Sequence, residues 1–283
     1  MKRLAPYLLI LPGGLWLLIF LVVPMVFMAS VSTQEGDMLN GFVQTFNLST
    51  YGDALVQYRT QFLRSAGYGL MGTAVSIALA YPMAYWIAFK GGARKSTYLL
   101  LVLLPFFVSF VLRTVSWKFL LADDGMLLSP LKSMGLVPGD FHVLQTTVAV
   151  IGGLVYNYLP FMILPIYVAL ERVDPRVVEA AQDLYAPRRE AFTKVVLPLS
   201  LPGVFAGVLM TFVPMTADYV NAGILGGPEN TMIGNIIQTE YLTNSDYPTA
   251  AALSFTLMAA MLIGIFAYAK ALGTENVLEA AAR

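Results

Sequence analysis

Residues 145–170 read QTTVAVIGGLVYNYLPFMILPIYVAL, 26 positions without an Asp, Glu, Lys or Arg. A helix of that length is about 39 Å long, enough to cross a hydrocarbon core of about 30 Å. The stretch therefore reads as a membrane span. Five others flank it: 6–30, 62–89, 97–121, 198–225 and 249–272. Composition agrees, since 58% of the 283 residues are hydrophobic and only 12% charged, against about 25% charged in a soluble domain. The expected fold is an all-α membrane protein with six transmembrane helices. The first stretch follows Lys2 and Arg3 as a signal peptide would, but its apolar run exceeds the 7–15 residues typical of one, so it reads as a retained helix.

The basic residues orient these spans. Lys2, Arg3, Lys90, Arg94, Lys95, Arg172, Arg176, Arg188, Arg189, Lys194, Lys270 and Arg283 fall on one side, 12 of the 17. The other side and its helix ends hold Arg59, Arg64, Arg113, Lys118 and Lys132. Both termini are expected in the cytoplasm. Basic and acidic residues balance at 17 each, so no excess charge exists to bind nucleic acid. With no cysteine and a single histidine, His142, thiolate metal sites and cysteine nucleophiles are excluded and a histidine-based centre lacks partners. Pro82, Pro105, Pro160, Pro165, Pro202 and Pro214 interrupt the spans; broken helices at membrane depth suit a transport path.

Between spans four and five lies Glu171-Arg172-Val173-Asp174-Pro175-Arg176-Val177-Val178-Glu179-Ala180-Ala181-Gln182-Asp183-Leu184-Tyr185-Ala186-Pro187. Asp174 before Pro175 is a helix start, an N-cap acceptor with proline at the first helical position. Pro187 stops that helix and can open a second through Arg188, Phe192 and Val195. The expectation is two short helices around a tight turn, with Ala180, Ala181 and Leu184 sharing one face.

These residues carry a resemblance. Glu179-Ala180-Ala181, followed by Val195, Leu197 and Pro198, is similar to the EAA loop of binding-protein-dependent ABC transporter permeases, with Tyr185 standing where that pattern has glycine. Leu225-Gly226-Gly227-Pro228 with Met232-Ile233-Gly234-Asn235, and Leu104-Pro105-Phe106-Phe107 with Arg113-Thr114-Val115-Ser116-Trp117, resemble the first permease subunit of spermidine/putrescine systems. The resemblance implies a type I importer permease fold in a bacterial inner membrane and transport by alternating access. It gives ATPase coupling to Glu179, Ala180, Ala181, Asp183, Leu184 and Tyr185. It also implies two ATP-binding subunits, a second permease and an extracytoplasmic solute-binding protein as partners. The chain then divides into 1–61, the first helix and an external loop; 62–272, a five-helix core with the coupling loop at 171–197; and a cytoplasmic tail, 273–283.

No nucleotide site is expected in this chain: Gly91-Gly92-Ala93-Arg94-Lys95-Ser96 lacks the spacing of a phosphate-binding loop, so ATP and Mg would sit on partners. Covalent catalysis is not expected either, because acid–base partners are scarce. Asp218, placed within span five, is the candidate for chemistry, since an ionisable group there is costly. Two readings stay open. Asp218 pairs with Arg113 and fixes two helices, or it meets a polyammonium cargo, with Tyr219 and Trp117 offering ring faces. Permeases for iron, thiamine or phosphonates remain alternatives, as does a stand-alone secondary transporter, which leaves the EAA loop unexplained.

Overall fold

A computed structural model describes residues 5–271; the expected tail at 273–283, like Lys2 and Arg3, lies outside them. Helix α1 (Ala5–Leu17) passes through a π-helical turn, Leu18–Val22, into α2 (Val23–Val31). Pro24, in the first turn of α2, has no N–H for the carbonyl four residues back, and the widened turn before it takes up the mismatch. A hairpin then pairs β1 (Gln34–Asp37) with β2 (Gly41–Gln44), Asp37 opposite Gly41. Hydropathy gives no sign of these two strands, because their signal is turn chemistry. The Asp37 carboxylate collects the amides of Leu39 and Asn40 at 2.9 and 2.7 Å, and Gly41 closes the turn at φ +83°. Those bonds, the Asn40 amide foremost, hold the Asp37 carboxyl below its ordinary pKa.

The chain continues through α3 (Ser49–Gln57), α4 (Arg59–Lys90), α5 (Lys95–Leu103), α6 (Phe110–Leu121) and α7 (Leu128–Ser133). There follow α8 (Thr147–Glu171), α9 (Pro175–Asp183), α10 (Arg188–Ala191) and α11 (Leu197–Thr216). The last elements are α12 (Val220–Leu225), α13 (Ile233–Leu242) and α14 (Tyr247–Ala271). Five helical runs are long and apolar enough to cross a membrane, and a bent pair makes the sixth.

That pair corrects the straight third span expected at 97–121. Its two arms diverge by 88°. Pro105 withholds a donor inside the short 3₁₀ turn Leu104–Phe107, and Val108 and Ser109 leave helical geometry, each with ψ 138°. The fifth span also differs. Helix α11 stops at Thr216, and α12 starts afresh at Val220, so Asp218 occupies a break and not a continuous helix. At its other end α10 runs through a second π turn, Phe192–Val196, directly into α11. The second helix of the loop is therefore the beginning of the fifth span, Arg188–Thr216. This π turn again precedes a proline, Pro198.

The described chain forms two compact units. One comprises residues up to Thr60 with Ile236–Leu262. In it Tyr241 and Phe42 place their rings against Tyr247, at 5.2 and 5.4 Å, and the Tyr58 hydroxyl donates to Glu240 Oε1 at 2.8 Å. Burial first, and the Glu240 carboxylate second, push the Tyr58 phenol up to about 12.

The other unit, Gln61–Asn235 with residues from Ile263 onward, is built on α8. Its contact with α11 is the most extensive between helices in the described residues. Lipid tails are as apolar as leucine, so helices associate in membranes by close packing and hydrogen bonding. Small residues permit it here. A Cβ on Gly203 would lie 2.5 Å from the Pro165 carbonyl oxygen, and one on Gly207 2.7 Å from Met162 Sδ. Ala80, Ala84 and Ala88 of α4 also join Met162, Ile163, Ile166 and Leu170 of α8 in one buried cluster.

Adding one methyl should therefore be felt. Gly203→Ala is expected to cost about 1–3 kcal/mol through overpacking, read as a lowered unfolding temperature of the detergent-purified chain. An unchanged melt would mean that α8 and α11 separate freely.

Candidate functional site

Asp218 is 5% exposed in the break between α11 and α12. Because α11 has ended, amides at the start of α12 lack helical partners. The Asn221 amide donates to Asp218 Oδ1 at 2.7 Å, while Asn221 Nδ2 and the Tyr158 hydroxyl reach Oδ2 at 3.1 and 3.2 Å. Asn221 then presents its Oδ1 to Asn157 Nδ2 at 3.1 Å and to the Thr114 hydroxyl at 3.3 Å. Asn157 Nδ2 also reaches Thr114 Oγ1 at 3.1 Å. One polar cluster thus ties α6, α8 and the α11–α12 break together. Gly153 gives it room, since a Cβ there would stand 2.7 Å from Asn221 Oδ1.

Of the two readings left open for Asp218, the pairing with Arg113 is not seen: no ion pair joins them among the described residues. Arg113 is 7% exposed, and its Nε and Nη1 have no hydrogen-bond partner among the described residues. Its guanidinium lies over the rings of Phe106 and Phe110, at 4.7 and 5.8 Å from their centroids. Phe110 in turn stands 5.9 Å from Tyr158. Cation–π contacts supply about 2 kcal/mol each when desolvated, while an uncompensated buried charge costs about 3–5 kcal/mol. The rings offset much of the cost of burying Arg113 and leave its two donors unmet.

Of the other candidates, Trp117 packs its ring on Tyr156 at 5.3 Å, and Tyr219 is exposed with its carbonyl taken by Asn235 Nδ2 at 2.7 Å. Among the described residues the Asp218 carboxylate takes its hydrogen bonds from Asn221 and Tyr158, not from Tyr219 or Trp117. His142 is exposed beside the Asp140 carbonyl. Sequence reasoning missed Thr114, Asn157, Tyr158 and Asn221. The available signal was Asn157-Tyr158 inside an otherwise apolar span and Asn221 three residues after Asp218.

The segment after Leu225 is held just as closely. Asn230 donates from Nδ2 to the Tyr68 hydroxyl and Thr147 Oγ1, at 2.9 and 3.2 Å, and accepts from the Gly227 amide. Arg64 reaches the Thr231 carbonyl at 3.0 Å, and Ser65 Oγ accepts from the Ile233 amide at 2.8 Å. Gly226 is required because a Cβ would meet the Ala222 carbonyl at 2.5 Å.

The projecting loop forms as its sequence prescribes at the start. Asp174 Oδ1 accepts from the Arg176 amide at 2.9 Å, with Pro175 first in α9. Helix α9 closes when the Ala186 amide bonds the Ala181 carbonyl at 3.0 Å, six residues to one, and Tyr185 adopts φ +61°. This is the left-handed geometry glycine accepts most readily, found here at a tyrosine. Glu179, Ala180 and Asp183 are exposed and Ala181 half-buried. Leu184 and Tyr185 are 81% and 96% exposed. At the loop's far end the Phe192 ring stands edge-on to Tyr81 and Tyr85, at 5.8 and 5.7 Å, and the Tyr81 hydroxyl meets Ser200 Oγ at 2.7 Å. The start of the fifth span is thereby packed against α4.

A multi-pass helical protein with broken spans, a buried polar cluster and a projecting helical loop has the build of a transport permease. Comparison with known proteins makes this specific: residues 6–271 match the family described as binding-protein-dependent transport system inner membrane component, and the chain belongs to it. It is a multi-pass membrane subunit of an ABC importer, a transport component and not an enzyme. It is 33% identical over 257 residues to the spermidine/putrescine transport system permease protein PotB of Haemophilus influenzae, covering 90% of each chain. Against the PotB protein of Escherichia coli K12 it is 31% identical, over 90% of this chain and 94% of the relative. The inner membrane ABC transporter permease protein YdcU of E. coli K12 shares 34% over 231 residues, 76% of this chain and 72% of that one. A crystal structure of a bacterial ABC transporter involved in the import of the acidic polysaccharide alginate shares the fold, with TM-score 0.73, 21% identity and 96% of both chains covered.

The polar cluster should carry stability as well as shape. Asn221→Leu strands Asp218, Asn157 and Thr114 together and is expected to cost about 1–3 kcal/mol. Thr114→Val, which removes only an edge of the cluster, should cost less. Thermal unfolding of the two purified variants checks the order.

Proposed function

We propose that this chain is the permease subunit of a polyamine importer, moving spermidine or putrescine by alternating access. The observation that carries the reading is the likeness to PotB proteins along 90% of the chain. A buried carboxylate at a helix break, Asp218, supports it, because a polyammonium cargo at membrane depth needs an anion to offset its desolvation. Both termini face the cytoplasm, on the strength of the Lys and Arg distribution.

The loop 171–197, within a core spanning 62–272, docks on one of two ATP-binding subunits. Exposed Leu184 and Tyr185, beside the small Ala180, form a knob that fits a groove on a soluble partner. Closure of the ATPase pair displaces α9, and Phe192 passes that displacement to α4 and α11. A second permease completes the pathway, and an extracytoplasmic solute-binding protein delivers cargo. A solved alginate transporter in complex with an alginate-pentasaccharide-bound periplasmic protein shares this fold at TM-score 0.70, which supports delivery of that kind.

The test is uptake of labelled spermidine by cells lacking their own carriers, expressing this chain with its partner subunits, beside a version whose ATPase is inactive. Uptake is expected only with the active ATPase. An assembled complex that imports no spermidine removes the polyamine reading, and uptake that survives the dead ATPase removes ATP-driven import. Ala180→Glu should uncouple the complex, lowering uptake at least tenfold with the chain still in the membrane; wild-type uptake would remove the docking role of α9.

A further inference from the structure

Arg113 is a buried charge that the arrangement above leaves without employment. Among the described residues its Nε and Nη1 are unpartnered, and the faces of Phe106 and Phe110 attend its guanidinium. Asp218, for its part, is compensated by neutral donors alone: the Asn221 amide, Asn221 Nδ2 and the Tyr158 hydroxyl. The two opposite charges are linked through two rings: Arg113 lies over Phe110, Phe110 stands 5.9 Å from Tyr158, and the Tyr158 hydroxyl donates to Asp218. Thr114, next to Arg113 in sequence, already belongs to the Asp218 cluster through Asn221. Arg113 also lies one turn after the 88° bend, where Val108 and Ser109 are extended. Helix α6 thus has a pivot directly before the residue that would have to move.

We propose that Arg113 is an internal counter-charge that exchanges with the cargo: it leaves its aromatic seat to pair with Asp218 when the bound polyammonium departs, and returns to it when the next cargo loads. The physical need is symmetrical. A carboxylate at membrane depth that loses its cationic partner is left uncompensated, which opposes cargo release. A resident cation with two unpartnered donors, connected to that carboxylate through Phe110 and Tyr158, relieves that penalty, and arginine's planar fork suits a carboxylate. In the seated arrangement the guanidinium is held by rings and Asp218 is open to exchange its neutral donors for an ammonium. This exchange rests on the polyamine reading above, and it makes Arg113 the residue that sets the rate of release.

Two measurements on the full complex test it. The first compares spermidine uptake by wild type, Arg113→Gln and Arg113→Lys in proteoliposomes. Arg113→Gln should lower turnover at least tenfold while KM stays equal or falls, and purified complex should retain more spermidine; Arg113→Lys should recover a third or more of turnover. Wild-type turnover in Arg113→Gln, or failure of both variants to assemble, overturns the proposal in favour of an inert or purely architectural arginine. The second does not depend on cargo. The chain has no cysteine, so Arg113→Cys with Asp218→Cys offers one thiol pair in an otherwise thiol-free subunit. A thiol cross-linker with the reach of an arginine side chain should join them at least fivefold more in one nucleotide state, ATP-bound or nucleotide-free, than in the other. Equal yields in both states overturn the swing of α6. A wild-type complex that imports no spermidine brings down the polyamine reading, and the cross-link then decides by itself whether α6 approaches the α11–α12 break in one nucleotide state.

Discussion

A carboxylate placed where a helix stops inside an apolar bundle has to find donors from the protein, because the bilayer supplies none. Asp218 meets that constraint by gathering an amide and a side chain from Asn221 and a hydroxyl from Tyr158. Much of the surrounding structure depends on the solution. Asn221 can serve Asp218 only if α12 begins at Val220, which requires α11 to end at Thr216. Tyr158 and Asn157 are on α8, and Thr114 is on α6. One buried charge thereby sets the mutual placement of three spans, at hydrogen-bond distances that tolerate little drift.

Close backbone approach does the rest. Gly153, Gly203 and Gly207 let α8 sit against its neighbours at distances that a single Cβ would forbid. In a membrane this substitutes for the hydrophobic drive that folds a soluble core. Prolines at three places mark breaks by the complementary rule, with a π turn before Pro24 and Pro198 and an extended pair after Pro105. Pro82, Pro160, Pro165, Pro202 and Pro214, expected to interrupt their spans, lie within continuous helices.

The far end of the projecting loop packs on α4 and runs into α11. Phe192 stands between Tyr81 and Tyr85, Tyr81 bonds Ser200, and α11 carries that contact toward the break that holds Asp218. The strained Tyr185 at the tip marks where the loop presents its most exposed apolar surface.

The sequence alone determined the six apolar stretches, the helix start at Asp174-Pro175, the EAA resemblance and the presence of an ionisable Asp218 among apolar residues, because each depends on local composition or on spacing within one element. Period and length suffice for such readings. The hairpin at Gln34–Gln44 escaped because turn chemistry, not hydropathy, builds it. Only the tertiary structure decided that the third span bends by 88°, that Asp218 lies in a break, and that Arg113 rests on Phe106 and Phe110 instead of pairing with it. Which donor reaches a buried charge is settled by helices distant in sequence, and no single segment contains that information. Thr114, Asn157 and Asn221, separated by 43 and 64 residues, become one site only when α6, α8 and α12 pack together.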